Sequence, residues 1–217
     1  MENELVKKTA DYVKLKLYGE HTGHDWFHVE RVWKMAKKFQ EIEGGDLELI
    51  EIAALLHDLG DSKQFEFDDK KGHLILRGMM DVLGIEENFQ KKIMEVILAA
   101  QYAGDETKTP RSVEAKILQD ADLLDALGAI GIARTFATGG HIKRIMHDPR
   151  RRPRTRLTKD DYLYRKSDGT SINYFYEKTL KLPQMLNTKT GRAIAEKRAD
   201  FLKNFIEEFE LEWEGKK

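Results

Sequence analysis

The sequence contains no cysteine, which excludes disulfide bonds, thiolate metal sites and a cysteine nucleophile. It also contains no stretch close to the roughly 20 apolar residues that a membrane-spanning helix needs. The N-terminal stretch MENELVKKTADYVKLKLYG lacks the continuous apolar core of a signal peptide. We therefore expect a cytoplasmic protein that does not enter membranes.

A strong excess of charge of either sign is absent as well. The chain has 37 basic and 38 acidic side chains and a net charge of −1. This balance gives no overall attraction to nucleic acid or to an anionic membrane. Any affinity for phosphate must come from a local cluster of basic residues.

Strand patterns are not convincing anywhere in the sequence, and helical periodicity dominates instead. One predicted helix ends at Gly19, and the others cover about 25–43, 46–60, 73–84, 87–101, 112–137, 171–182 and 190–213. Segment 61–71 and the arginine-rich segment, residues 143–158, are predicted to be loops. The predicted fold class is all-α.

The dipeptide His-Asp occurs three times. His147-Asp148 precedes a proline and is predicted to form a solvated turn that its aspartate starts. His24-Asp25 lies at a helix start, where the aspartate is a good N-cap and a supporting role at a site is the alternative. His57-Asp58 is different, because it directly follows the apolar residues AALL.

His57 lies on the core-facing side of its predicted helix. Ile50, Ala53 and Ala54 lie seven, four and three residues before it. The neighbouring carboxylate of Asp58 is expensive to bury unless it is paired or binds a metal ion. A cation near this dipeptide is therefore expected.

Two further ionisable residues fall on apolar helix faces, His28 on the second helix and Asp122 on the helix predicted for 112–137. With His57 and Asp58 they would supply two nitrogen and two oxygen ligands, which leaves open positions typical of a catalytic metal site. Such ligands suit manganese, iron, cobalt, nickel or zinc better than calcium. The alternative is a set of unrelated polar groups, each with local hydrogen bonds. Mutual repulsion within the acidic cluster Asp120, Asp122 and Asp125 favours a shared divalent ion.

The segments HVERV, ALLHDLGD and DADLLDALGAIGIAR resemble the HD-domain metal-dependent phosphohydrolases. The segments GHDWFHVERV, LTKDDY, SINYFYEKTLKL and NTKTGRAIAEKR extend the resemblance to the bacterial YpgQ/YedJ-like branch, over nearly the whole chain. The resemblance implies an HD-domain helical bundle with additional C-terminal helices at about 170–214 and no significant sheet. We expect one domain over residues 1–217, with a metal-binding core at about 20–130.

The resemblance also implies one divalent metal ion held by His28, His57, Asp58 and Asp122. The implied activity splits deoxynucleoside triphosphates into monophosphate and pyrophosphate, with manganese favoured and magnesium, cobalt, nickel, iron or zinc as alternatives. His73 is the only histidine between the central dipeptide and the last ligand, which favours a single metal ion.

Other residues are candidates for catalysis and for substrate binding. Asp61, in HDLGD, would activate or orient the attacking water, although relatives more often carry glutamate at this offset and a capping role is the alternative. Lys63 and His24 would contact phosphate. Lys178 and Lys181 would lie on one face of the helix SINYFYEKTLKL, at the edge of a nucleotide pocket.

Competing functions remain open at this point. The enzyme alternative is a phosphatase acting on nucleoside monophosphates, and the non-enzyme alternative is a catalytically weak module that binds metal and nucleotide for regulation. The segment from Arg150 to Arg156 is a solvated loop, a lid over a triphosphate, or a nucleic-acid contact; it lacks interleaved aromatic residues that would stack on bases. The expected partner is a nucleotide, and a homodimer is an open alternative.

Overall fold

The computed structural model describes residues 3–20, 23–59, 69–165 and 167–217. The helices in these ranges are α1 (Glu4–Lys16), α2 (Trp26–Glu43), α3 (Leu47–Leu56), α4 (Asp69–Leu83), α5 (Glu87–Ala100), α6 (Val113–Asp125), α7 (Gly128–His141), α8 (Lys159–Tyr164), α9 (Ser171–Glu177) and α10 (Lys189–Trp213), with a 3₁₀ helix at Thr179–Met185. The same ranges hold only two isolated bridges and no strand, which confirms the all-α prediction. None of the described helices combines the length and the apolarity that crossing a membrane requires.

The backbone divides into two compact units. The first unit comprises Met1–Tyr102 and Lys108–Ala121, and the second comprises Ala103–Thr107 and Asp122–Lys217. A single domain over 1–217 therefore stays a prediction, and each unit is described by itself.

Helix α3 is the central helix of the first unit. It packs against α1, α2 and α5. Every residue from Leu49 to Leu56 is buried, since the helix is apolar on nearly all sides. The N-caps of α2 and α3 are those expected from the sequence. The side chain of Asp25 accepts a hydrogen bond from the backbone N–H of His28, and that of Asp46 accepts one from the backbone N–H of Leu49. The packing of α3 thus fixes the position of whatever follows its last residue.

The second unit has an aromatic core. Ile172, Phe175, Leu202 and Ile206 are buried together, and Phe136, Phe205 and Phe209 pack against them. Helix α10 packs against α7 and the 3₁₀ helix, and α9 packs against α7 and the same 3₁₀ helix. This core holds the end of α10 close to α9.

The predicted continuous helix over 112–137 is wrong. Helix α6 ends at Asp125, and α7 begins at Gly128, whose φ is 68°. A positive φ is incompatible with a right-handed helix and favours glycine. The sequence pattern did not indicate this break between helices, because the residues on both sides of it are apolar.

Two other helix predictions need correction. The predicted helix 171–182 ends as an α-helix at Glu177 and continues as the 3₁₀ helix, which contains Pro183. Proline has no N–H and its ring collides with the carbonyl four residues earlier, so an α-helix cannot continue through it. Helix α4 begins at Asp69, so 69–71 are helical rather than loop. The rest of that predicted loop lies outside the described residues.

Gly104 provides a test of the packing in the second unit. Its φ is +63°, and a Cβ there would overlap the carbonyl oxygen of Leu157 and lie 3.0 Å from that of Thr158. We expect Gly104→Ala to lower the free energy of unfolding by at least about 2 kcal/mol, because both backbone strain and the clash act together. Urea unfolding followed by circular dichroism measures the loss.

The matched control is Gly140→Ala on α7. A Cβ at this position meets no atom within 4 Å. Alanine has the higher helix propensity, so we expect no loss and a gain of up to about 1 kcal/mol. Equal stability changes in the two variants would contradict the packing described for Gly104.

Candidate metal centre

Three side chains from the start of α2 and the end of α3 form a compact cluster. His28, His57 and Asp58 each offer one ligand atom, and these atoms lie within 4.8 Å of one another. The Nε2 of His28 is 3.3 Å from Oδ2 of Asp58, and the Nε2 of His57 is 3.5 Å from Oδ1. The two imidazole rings stand edge to face with centroids 5.3 Å apart. Three of the four ligands expected from the sequence are thus brought together.

The first turn of α2 positions His28. Asp25, the N-cap, accepts a hydrogen bond of 2.8 Å from the backbone N–H of His28. This bond satisfies one of the free N–H groups at the helix start and fixes the residue that carries the imidazole. The His28 side chain is fully buried.

The end of α3 positions His57. The helix ends at Leu56, and His57 keeps helical dihedral angles of −58° and −36° as its C-cap. Its Nδ1 lies 2.7 Å from the carbonyl oxygen of Ala54. A carbonyl can only accept, so Nδ1 is the donor, and Nε2 is the ring nitrogen on the side of Asp58. A metal-binding histidine whose Nδ1 has a backbone partner uses its Nε2 as the ligand atom.

The carboxyl group of Asp58 is held in its ionised form. Burial raises its pKa, but the charge of His57 and a hydrogen bond from His28 lower it more, with a smaller contribution from His24. The pKa therefore lies well below the usual value. The ionised carboxylate and the two imidazole nitrogens form a ligand set that contains no sulfur. Such a set fits a divalent cation such as manganese, iron, cobalt, nickel or zinc.

His24 lies next to this cluster. Its ring centroid is 5.9 Å from that of His28, and the side chain is half-buried. Its backbone N–H donates to the carboxylate of Glu20. The predicted substrate contact stays a prediction, with this proximity in its favour.

The other residues predicted for the site have different outcomes. Asp122 lies half-buried on α6, in the second unit, and its role as a fourth ligand stays a prediction. Asp61 and Lys63 lie outside the described residues.

Lys178 and Lys181 do not share one α-helical face, because α9 ends before the first of them. Lys178 Nζ lies 5.0 Å from the centre of the Tyr162 ring. Lys181 Nζ lies 3.1 Å from the carboxylate of Asp105, so its charge is already neutralised within the protein. A substrate contact by either lysine stays a prediction.

The repulsion expected within the acidic cluster of α6 is partly relieved by an arginine. Asp125 is buried, and its carboxylate forms an ion pair of 2.9 Å with Arg134 on α7. The sequence pattern did not indicate this partner, because it predicted both residues to lie on one continuous helix. Repulsion among the three carboxylates is therefore a weaker argument for a metal ion than the cluster at the end of α3.

Comparison with known proteins identifies the family. The model of the HD domain family matches residues 26–127, which include all three clustered residues. YpgQ of Bacillus subtilis (strain 168) is 34% identical over 219 residues, covering 99% of this chain and 96% of YpgQ. The chain belongs to the HD-domain superfamily of metal-dependent phosphohydrolases.

Solved structures of several bacterial proteins are similar over almost the full length. A Lactobacillus plantarum protein has a TM-score of 0.87 at 33% identity, covering 99% of this chain and 100% of the other. An HD-superfamily hydrolase from Bacillus thuringiensis has a TM-score of 0.71 at 40% identity, with 96% of both chains covered. The crystal structure of Bacillus subtilis YpgQ in complex with ADP has a TM-score of 0.69 at 30% identity, covering 94% of this chain and 97% of that one.

The cluster predicts where this HD-domain protein binds its metal ion. We expect His57→Ala to weaken binding of Mn²⁺ by more than about 100-fold, since even the loss of a group that only orients a ligand costs 10- to 100-fold. Calorimetric titration of metal-stripped protein measures the affinity. His141→Ala, an exposed histidine at the end of α7, is the control and should bind as the unaltered protein does. Equal Mn²⁺ affinities of the two variants would contradict the assignment of His57 as a metal ligand.

Proposed function

We propose that this HD-domain protein hydrolyses (deoxy)nucleoside triphosphates to monophosphate and pyrophosphate with the help of one divalent ion. The observation that carries the proposal is the buried carboxylate of Asp58 between two imidazoles, 3.3 and 3.5 Å away. The nucleotide part of the proposal is supported by YpgQ, a relative over nearly the full length whose crystal structure contains ADP. Manganese is the proposed ion.

The proposed ligands are His28, His57 and Asp58, with Asp122 as the fourth. An ion bound there would polarise a phosphoryl oxygen and lower the pKa of the attacking water. The protein would preorganise the ligands. The Ala54 carbonyl accepts a hydrogen bond from Nδ1 of His57, and the low pKa of Asp58 preserves its negative charge. Little rearrangement is then needed when the ion and substrate arrive.

Further residues are proposed to act on the substrate. His24 would donate a hydrogen bond to a phosphate oxygen, and the support for this role is its ring centroid, 5.9 Å from that of His28. Lys63 would add positive charge. Asp61 would accept a proton from the attacking water or orient it toward phosphorus. These three roles, and the edge of the pocket at Lys178 and Lys181, are proposals.

A nucleotide screen of metal-stripped protein with added manganese, magnesium, cobalt or nickel tests the proposed reaction. We expect release of pyrophosphate and monophosphate from at least one triphosphate, fastest with manganese, at a rate ordinary for an enzyme, of about 1 s⁻¹ or more. Chromatography of the products identifies what is released. Free phosphate from a monophosphate would instead indicate a phosphatase, and intact nucleotides with all four ions would contradict an enzymatic role.

Asp58→Asn tests the ligand role separately from packing. The amide has nearly the same shape as the carboxylate but no negative charge, so the fold should persist while the metal ion is lost. We expect turnover to fall by at least about 1,000-fold, because a step that depends on the ion loses several kcal/mol of stabilisation. Asp148→Asn, which changes an aspartate that binds Arg150 in the arginine-rich segment, is the matched control and should keep its turnover.

Asp61→Asn tests the proposed base. General-base contributions are typically about 100- to 10,000-fold, so kcat should fall within that range. Affinity for Mn²⁺ should stay within about twofold, because the residue is proposed to act on water and not on the ion. Steady-state kinetics and calorimetric titration separate the two effects. A loss of metal affinity as large as that of Asp58→Asn would instead make Asp61 a ligand.

A further inference from the structure

A cavity of about 550 Å³ lies entirely within the second unit. Its lining comes from α9, from the C-terminal end of α10 and from five residues of the arginine-rich segment: His147, Pro149, Arg151, Arg152 and Pro153. The volume falls in the range of small-molecule sites, about 300–1,000 Å³. None of the residues predicted for the metal centre lines it. Its chemistry therefore needs an explanation of its own.

Aromatic rings form one wall. The indole of Trp213 stacks on Phe209 with centroids 5.8 Å apart and planes 22° apart. The imidazole of His147 stands edge to face against Trp213 at 4.8 Å. The Trp213 side chain is nevertheless 50% exposed, so much of the indole stays accessible to a flat ligand. A planar heterocycle is the group that such a surface binds best.

Positive charge lies on the same cavity. Four arginines of the segment form ion pairs with carboxylates outside the lining: Arg150 and Arg151 with Asp148, Arg154 with Glu177 and Arg156 with Glu106. Arg152 lines the cavity, is exposed, and forms no hydrogen bond or ion pair with any residue the structure describes. Arg151 also lines it, and its side chain is 50% exposed. The Arg152 guanidinium therefore favours a phosphate group at this rim, and the part of the Arg151 guanidinium that stays exposed beside its ion pair can add to it.

Polar groups complete the lining. The hydroxyl of Tyr176 donates to the carboxylate of Glu210 at 3.0 Å. Burial and this carboxylate raise the pKa of Tyr176 to about 12, so the hydroxyl remains a donor and Glu210 stays fixed at neutral pH. The Nδ1 of His147 is buried and has no hydrogen-bond partner among the described residues. The cavity therefore offers the carboxylates of Glu210 and Glu214 as acceptors, the first of them fixed by Tyr176.

We propose that this cavity is a second nucleoside-phosphate site, with the base stacked on Trp213 and the phosphate on Arg152 and Arg151. Glu210 would accept hydrogen bonds from the base. Among the common bases guanine presents two adjacent N–H donors to one carboxylate, which makes guanosine monophosphate the probe. The site does not depend on the metal-dependent reaction, since every residue it uses lies in the second unit.

Calorimetric titration of guanosine monophosphate into the full-length chain tests the site. The protein is stripped of metal, and the titration is repeated with His57→Ala, so that binding through the metal centre is removed in both cases. We expect saturable binding with one ligand per chain and equal affinity in both proteins. Guanosine and inorganic phosphate, each lacking one half of the ligand, should bind at least about tenfold more weakly.

Substitutions locate the binding. Trp213→Ala should weaken binding by about fivefold or more, as expected for loss of one base-stacking contact, whereas Trp213→Phe should retain most of it. Arg152→Ala should weaken it by about tenfold or more through loss of a charged hydrogen bond. Arg150→Ala is the matched control, because its guanidinium is 88% exposed and lies outside the lining, and should change affinity by less than about twofold.

Four results would overturn the proposal. The first is the absence of saturable binding in the metal-stripped protein. The second is binding of inorganic phosphate as tightly as the nucleotide, which would indicate an anion site without a base subsite. The third is an equal effect of Arg150→Ala and Arg152→Ala, which would indicate general electrostatic attraction. Binding that vanishes in His57→Ala would assign the nucleotide to the metal centre and not to this cavity. Failure of the triphosphatase assay would leave this proposal intact.

Discussion

The structure of the candidate metal centre depends on one electrostatic constraint, the burial of an ionised carboxylate at the end of a buried helix. Asp58 follows α3, and the C-terminal end of a helix carries partial negative charge, so the helix dipole does not stabilise an anion there. Burial adds a desolvation cost. The compensation comes from His28 and His57, whose nitrogens lie 3.3 and 3.5 Å away. A divalent cation can provide the same compensation more strongly, which is why this arrangement suits a metal site.

The helical hairpin of α2 and α3 explains how the compensating residues reach the carboxylate. The two helices are consecutive in sequence and pack against each other, so the start of α2 lies beside the end of α3. Asp25 fixes the first turn that carries His28, and the Ala54 carbonyl fixes the ring of His57. Short-range hydrogen bonds thus set the ligand geometry, while the packing of α3 sets its location.

Part of this could be predicted from the sequence. Amphipathic stripes and aspartate N-caps predicted α1, α2 and α3, and the inward position of His28 and His57 followed from helical spacing. The break between α6 and α7 was missed, because an apolar run has no periodicity to interrupt and only the backbone at Gly128 reveals it. The partner of Asp125 was missed for the same reason. His147 and Trp213 were not connected, since no sequence signal links residues that meet only through the tertiary packing of the second unit.

The arginine-rich segment shows why a charge count does not define a binding surface. In the sequence the segment looks like a broad basic patch, but the guanidinium of Arg154 pairs with the buried carboxylate of Glu177, and that of Arg150 with Asp148. The first pair joins the segment to α9, and both pairs offset part of its positive charge. Nucleic-acid binding depends on many contacts between phosphates and basic side chains. Ion pairs within the protein occupy those side chains and therefore weaken such binding. The arginine without an ion pair among the described residues, Arg152, lines the cavity with Trp213, and this local charge suits one small phosphorylated ligand better than a polymer.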